Sequence, residues 1–417
     1  MKHLLTCLAL IVSIGLFGQN IPTAKPEDNG MSTARLAKID KLIEEHMANK
    51  WIPGAVVLII RNGKIVYNKA YGYADVDSKT ALKKDNIFRI ASQSKAITSL
   101  AVMMLWEDGK FGLDDPVSKF IPEFKNPKVL GTLNWKDTTY TTVPAKSEIT
   151  IRQLLTHTSG IDYAGIGSQD FKAIYAKAGV VSGIGNDNMV LADKMKILGG
   201  LPLKHNPGEA YTYSLSIDVL GYLVEIWSGM SLDQYFKTKI FTPLGMNDTY
   251  FYLPKEKHNR LVSLYELKDD KISKVTGKIY DNVTPTYPTL EGKYYSGGAG
   301  LSSTAEDYAK FLQMFLNKGE FNGVRILSRK TVELMLTNQI QPPINNQFGL
   351  GFGLETEKND HNDISSLGSF RWGGAFNTQY WADPKEKLVG IIYMNMYGGN
   401  RFTADRFKTF TYQAIVD

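Results

Sequence analysis

The chain contains one Ser-x-x-Lys spacing, Ser92-Gln93-Ser94-Lys95. It opens a run that is apolar on nearly every helical face: Ala96, Ile97, Leu100, Ala101, Met103, Met104 and Leu105. Such a run predicts a buried helix over 92–106, ended by Gly109. A serine at a helix start lies at the positive end of the helix dipole, where a developing alkoxide is favoured. Lys95, three residues on, shares its face. An unprotonated amine beside a serine hydroxyl is a working general base. Taken alone, the same residues also read as a helix cap and a surface lysine.

Two more segments could join them. Tyr213 stands in Tyr211-Thr212-Tyr213-Ser214-Leu215-Ser216, just after Pro207-Gly208 and at the start of a helical pattern. A tyrosine close to a lysine can move protons. Arg371-Trp372-Gly373-Gly374-Ala375 ends a predicted strand on two glycines. Glycines there let a ligand approach the backbone and leave N–H groups to hold an oxyanion. The plainer readings are a packed tyrosine and a bulge. Other chemistries lack their residues. No serine stands in a G-x-S-x-G turn, and no G-x-x-x-x-G-K-[ST] phosphate loop occurs. Gly349-Leu350-Gly351-Phe352-Gly353 lacks the spacing of a dinucleotide fingerprint and reads as a strand. One cysteine, Cys7, and six histidines with no i, i+4 pair offer no ready metal site. No cofactor is implied.

These side chains need elements to position them. Helical periodicity covers 31–50, and β-type runs at 54–60 and 64–71 flank Arg61-Asn62-Gly63, a strong hairpin signal. Strands are expected again at 369–372, 378–382 and 388–394, with helices at 304–317, 328–337 and about 402–416. Helices near 150–156, 188–199, 216–227 and 231–239 occupy the middle, and 128–147 reads as a surface excursion. Strands at both ends with helices between predict an α/β fold of the α+β type. Its central antiparallel sheet is built from both chain ends and flanked by helices, with an inserted, mainly helical lobe. The sheet domain would take 31–107 and 291–417, the lobe 108–290, and the crevice between them the ligand.

The three segments stand in the order of the active-site motifs of penicillin-recognising serine hydrolases: S-x-x-K, then Y-x-N, then K-T-G. The chain resembles the serine β-lactamase-related hydrolases (class C β-lactamases, family VIII carboxylesterases and penicillin-binding-protein-like enzymes) over about 31–400. Leu154-Leu155-Thr156-His157-Thr158-Ser159-Gly160, the stretch YSLSIDVLG from Tyr213, IFTPLGMND from Ile240 and GAGLSSTAED from Gly298 carry the resemblance further. It implies a β-lactamase/transpeptidase-like fold. It implies Ser92 as the acylated nucleophile, with Lys95 as its base or the base's partner. Tyr213 would shuttle protons, including to the deacylating water. Trp372-Gly373-Gly374 would be the third motif, and the N–H groups of Ser92 and Ala375 the oxyanion hole. His157 would belong to a structural turn. Two departures matter: Leu215 stands where the motif has asparagine, and Trp372 where it has lysine. Losing those polar groups should favour neutral, less polar acyl groups, as in the esterase branch.

Composition sets the remaining bounds. The chain is 43% hydrophobic, 22% charged and 11% aromatic, which excludes a disordered chain, a collagen or a coiled-coil rod. The net charge of +6 is scattered, with no basic-aromatic stripe for nucleic acid. Residues 1–19 read as a secretory signal peptide: Lys2 leads an apolar stretch over 4–17 too short to span a bilayer. Residues 20–30 read as a linker. The mature chain is thus expected in a periplasm or outside the cell, with no stable membrane insertion. Its partner is expected to be a small-molecule ester or amide. Three functions compete: a serine esterase, a β-lactamase or D-amino-acid amidase, and a non-catalytic binding protein on the same scaffold.

Overall fold

The computed structural model describes residues 20–417 apart from 186, 187, 281 and 399–401. The expected signal segment, with Cys7, lies outside the described residues. Asn62 and Gly63, with φ of 54° and 72°, turn β1 (Gly54–Arg61) into β2 (Lys64–Asp75). This is the geometry an Asn-Gly hairpin demands. The short β3 (Thr80–Ala81) follows β2. Four strands come from the far end of the chain: β4 (Gly353–Leu354), β5 (Phe370–Gly374), β6 (Thr378–Asp383) and β7 (Leu388–Tyr393). They form one antiparallel sheet in the order β4-β5-β6-β7-β1-β2-β3. The two chain ends meet where β1 lies against β7, with Val56 opposite Tyr393 and Ile60 opposite Val389.

Every residue of β1 is buried, so its alternating side chains feed two cores. Val56, Leu58 and Ile60 join α2 (Ser94–Glu107) and α4 (Ala305–Leu316) through Ile97, Leu100, Phe311 and Leu312. Ala55, Val57 and Ile59 join α1 (Thr33–Ala48) and α5 (Phe402–Gln413) through Leu36, Ile39, Ile43 and Phe407. Burying each large aliphatic side chain contributes about 1.5–3 kcal/mol, so this central strand is held from both faces.

α2 starts two residues later than its sequence pattern suggested. A 3-10 turn over Ala91–Gln93 precedes it, so Ser92 lies on that turn. The Ser94 hydroxyl donates to the Ala91 carbonyl at 2.6 Å, and Gln93 N–H donates to Ile90 O at 3.0 Å. At the other end Gly109, with φ of 72°, closes the helix, and Lys110 N–H reaches back to Leu105 O.

Between the halves of the sheet lie α3 (Ser216–Ser228) and further helices, including Gln169–Ala178 and Leu191–Gly199. This stretch is less purely helical than expected. It carries two hairpins, Lys128–Asn134 with Thr139–Pro144, and Tyr265–Lys268 with Lys271–Lys274. The first is the exposed excursion, rich in Thr, Val and Tyr, which favour strands. The second gains a partner no local pattern reveals: Tyr265 pairs in parallel with Met396.

Candidate active site

Ser92 is presented by a strained step. Ala91, directly before it, has φ of 43°, in the left-handed region that residues with a Cβ rarely adopt. Such strain persists only where the surroundings over-determine it. Here they do: Ile90 N–H bonds to Leu301 O at 3.1 Å, Leu301 N–H to Ser94 Oγ at 3.0 Å, and Tyr393 Oη to Gln93 Oε1 at 2.7 Å. Helix, sheet and the 297–301 segment all grip the turn that carries Ser92.

Lys95 is almost fully buried. Its Nζ donates to Gly298 O at 2.7 Å and stands 3.5 Å from Tyr163 Oη. The same Nζ lies over the Tyr213 ring, 4.5 Å from its centre, an attractive cation–π geometry. Tyr213 is caged by rings: His157 at 4.8 Å, Trp372 at 5.7 Å and Tyr163 at 5.8 Å between centroids. Its hydroxyl is buried and has no hydrogen-bond partner among the described residues.

β5 brings the third segment to the same place. A Cβ on Gly374 would lie 2.3 Å from the Ile90 carbonyl oxygen, so glycine is what lets this strand approach the nucleophile turn. A Cβ on Gly373 would meet the Gln379 side chain at 2.2 Å. Ser92, Tyr213, Trp372, Gly373, Gly374 and Ala375 line one open cleft of about 480 Å3. Lys95 is not part of its lining among the described residues and adjoins it through the Tyr213 ring. Leu215 does not reach the cleft, contrary to its expected place in the substrate pocket. It is fully buried in the larger core, because the step into α3 turns it inward. The aromatic character of the cleft therefore comes from Trp372 with Tyr211, Tyr380 and Trp381, and not from Leu215.

Sequence reasoning passed over Asp218. It is fully buried on α3. Its Oδ1 accepts from Ser296 Oγ at 2.5 Å and from Gly298 N–H at 3.4 Å, while Oδ2 has no partner among the described residues. Oδ2 would be only 2.3 Å from a Cβ on Gly298. One peptide segment thus separates two buried charges: Asp218 holds the N–H of Gly298 and Lys95 holds its carbonyl. Burial pushes the Asp218 carboxyl up from its ordinary value, and the Lys95 charge pulls it back. The signal was available as an aspartate inside an apolar helix stripe between Ile217 and Val219.

His157 adopts φ of 57° in a turn, with Nδ1 3.3 Å from Ser214 Oγ. Burial, and secondarily the Lys95 charge, hold its pKa well below the ordinary histidine value, so it packs on Tyr213 as a neutral ring. The cleft also contains Arg371, from the third segment, and three charges the sequence did not connect with it: Lys408, Asp363 and Asp405. Lys408 Nζ donates to Asp363 Oδ2 at 2.6 Å, and Arg371 Nε stands 3.8 Å from the same oxygen. Lys408 lies on α5, more than thirty residues after β5, so no local pattern could pair it with Trp372. Among the described residues no cluster of His, Cys, Asp and Glu could hold a metal ion.

The β-lactamase family profile matches residues 39–410. The chain is 32% identical to Protein Rv1367c of Mycobacterium tuberculosis over 363 residues, covering 82% of this chain and 85% of that one. It is 28% identical to esterase EstB of Burkholderia gladioli over 391 residues, covering 90% and 93%. Among solved structures it superimposes on EstCE1, a hydrolase with promiscuous acyltransferase activity, with a TM-score of 0.78, 26% identity and coverage of 91% and 99%. Simvastatin synthase from Aspergillus terreus shares the fold, with a TM-score of 0.76 at 24% identity and coverage of 91% and 95%. The order of strands around the Ser-x-x-Lys segment and these likenesses agree: the chain belongs to the β-lactamase family and is a serine hydrolase.

Proposed function

We propose that the protein cleaves carboxylic esters through an acyl-enzyme on Ser92. The observation that carries this reading is the shared cleft. Ser92 sits on a strained turn against the Gly373–Gly374 backbone, with the unpartnered Tyr213 hydroxyl on one side and Trp372 where the motif has lysine. Tyr213, coupled to Lys95, accepts the Ser92 proton as Oγ attacks the ester carbonyl. The backbone N–H groups of Ser92 and Ala375 hold the oxyanion. Collapse expels the alcohol, which takes a proton from Tyr213. Water, deprotonated by the same pair, then attacks the Ser92 ester and releases the acid. An alcohol in place of water would give acyl transfer, in keeping with the likeness to EstCE1.

A second reading draws on Arg371 and Lys408. Both line the cleft, beside Asp363 and Asp405, and offer donors for the carboxylate of a β-lactam or D-amino-acid peptide that the lysine replaced by Trp372 would have served. Initial rates on a p-nitrophenyl short-chain ester and a chromogenic cephalosporin, with Ser92→Ala as the blank, separate the two. Fast ester cleavage with slow cephalosporin opening supports the esterase, and the reverse order supports the second reading. The same proposal treats 1–19 as a signal peptide and the mature chain as periplasmic or secreted. N-terminal sequencing of the exported protein tests this, with a start near residue 19 or 20 expected.

A further inference from the structure

A second cavity, of about 420 Å3, lies on the other side of the hairpin turn that carries Ala375. Its floor is apolar, with Met394 and Met396, and Trp51 and Phe402 form its rim. Its polar lining comprises His46, Asn377, Thr403 and Asp270 among the described residues. His46 is 2% exposed, between Trp51 (centroids 5.0 Å apart) and Phe402 (5.5 Å, nearly parallel). Its Nδ1 is taken by Thr403 Oγ1 at 2.7 Å, which leaves Nε2 without a partner among the described residues. Asn377 is 7% exposed, and its side-chain amide has no hydrogen-bond partner among the described residues. His46 and Asn377, both more than nine-tenths buried as residues, thus turn polar atoms to an aromatic and thioether cavity, a lining that fits a small-molecule site. Burial lowers the pKa of His46 and so favours its neutral form, and Asp270 is the only charged residue of the lining among the described residues. Anions are therefore disfavoured.

We propose that this cavity binds a small uncharged aromatic molecule bearing an amide or phenol group, and that its occupancy alters turnover at Ser92. The ring would pack on Trp51, Met394 and Met396, and the polar group would bond to His46 Nε2 and the Asn377 amide. The route to the active site is short. Asn377 has φ of 53° and stands two residues after Ala375; its carbonyl accepts from Met394 N–H at 3.3 Å, and the Phe376 carbonyl accepts from Met396 N–H at 2.9 Å. A ligand that holds Asn377 and the two methionines acts on the turn that positions the Ala375 N–H. This second half rests on the esterase reading; binding itself does not.

Benzamide is the probe. Calorimetric titration of the full mature chain should show saturable 1:1 binding, equal in the parent and in Ser92→Ala. Binding should weaken about tenfold or more in Trp51→Ala, at the rim, and in Met396→Trp, which fills the floor. Thermal melts check that both variants fold, and the rim variant carries the test alone if Met396→Trp does not. Saturating benzamide should change kcat for the p-nitrophenyl ester while KM stays constant. Absence of saturable binding, or binding untouched by Trp51→Ala, overturns the site. Purely competitive inhibition places benzamide in the Ser92 cleft and overturns it too. Binding at the cavity with no change in kcat overturns the coupling to turnover. If the chain cleaves no ester, calorimetry still reads the cavity, so failure of the esterase reading and failure of this site are told apart.

Discussion

At the scale of single residues, the site sets Ser92, the proposed nucleophile, on a strained turn near Tyr213, the proposed proton carrier, whose hydroxyl has no hydrogen-bond partner among the described residues. Tyr213→Phe keeps the ring that packs on His157, Trp372 and Lys95 and removes only the acid/base atom. Steady-state assays should show kcat lowered about 10²- to 10⁴-fold with an unchanged melting temperature, the size expected for loss of general acid–base catalysis. Asp218→Asn tests the charge on the far side of Gly298. Asparagine can still accept from Ser296, so the fold should hold, but Lys95 loses its buried counter-charge. A fall of about ten- to a hundredfold in kcat/KM is expected, equivalent to about 1.4–2.7 kcal/mol. An unchanged value would show that Asp218 plays no part in positioning Lys95. Ser92, Lys95 and Tyr213 could be picked out of the sequence because their spacings are local and their order is informative. Asp218 and Lys408 could not be placed, because what matters about them is which distant group they meet: the Gly298 N–H for Asp218, the Asp363 carboxylate for Lys408.

At the scale of elements, the Ser92 turn and β5 form one unit, joined by close backbone approach at Gly374. Gly374→Ala puts a methyl group within 2.3 Å of Ile90 O, so strand and turn must separate. Because the proposed oxyanion donors, the N–H groups of Ser92 and Ala375, come from both sides of that contact, kcat should fall at least about a hundredfold, as when an oxyanion donor is lost. KM should change far less, and circular dichroism should show an intact sheet. The hairpin at Asn62-Gly63 and the apolar helix α2 were legible because each is written in consecutive residues. The 3-10 turn over Ala91–Gln93 was not, since it is imposed by Leu301, Tyr393 and the sheet. Leu215 shows the same limit: its place in the motif suggested the pocket, and the path of the backbone into α3 turned it into the core.

At the scale of the whole molecule, a sheet built from both chain ends clamps an intervening stretch that returns to it at a few polar anchors. Asp75, at the end of β2, is one. It accepts from Lys274 Nζ and from Ser263 Oγ at 2.6 Å, which ties the 263–274 segment to the sheet. The Lys274 hydrogen bond, then that of Ser263, holds the Asp75 carboxyl far below its ordinary value of 3.8. The stability it supplies is therefore present above that value and is lost as pH falls below it. Asp75→Asn should lower Tm by a few degrees at neutral pH and make the loss of stability below about pH 4 shallower, read by thermal melts across pH. The antiparallel sheet from both ends followed from the sequence because strand patterns clustered there. The two hairpins within 108–290 did not, because the strand at Tyr265 owes its place to Met396, more than a hundred residues away. The central claim spans all three scales: this fold exists to make Ser92 a nucleophile. Intact-mass analysis of the mature protein after a fluorophosphonate probe tests it most directly. The account predicts a single adduct, mapped to Ser92 by peptide sequencing and absent from Ser92→Ala. No adduct, or one on another residue that persists in Ser92→Ala, would contradict it.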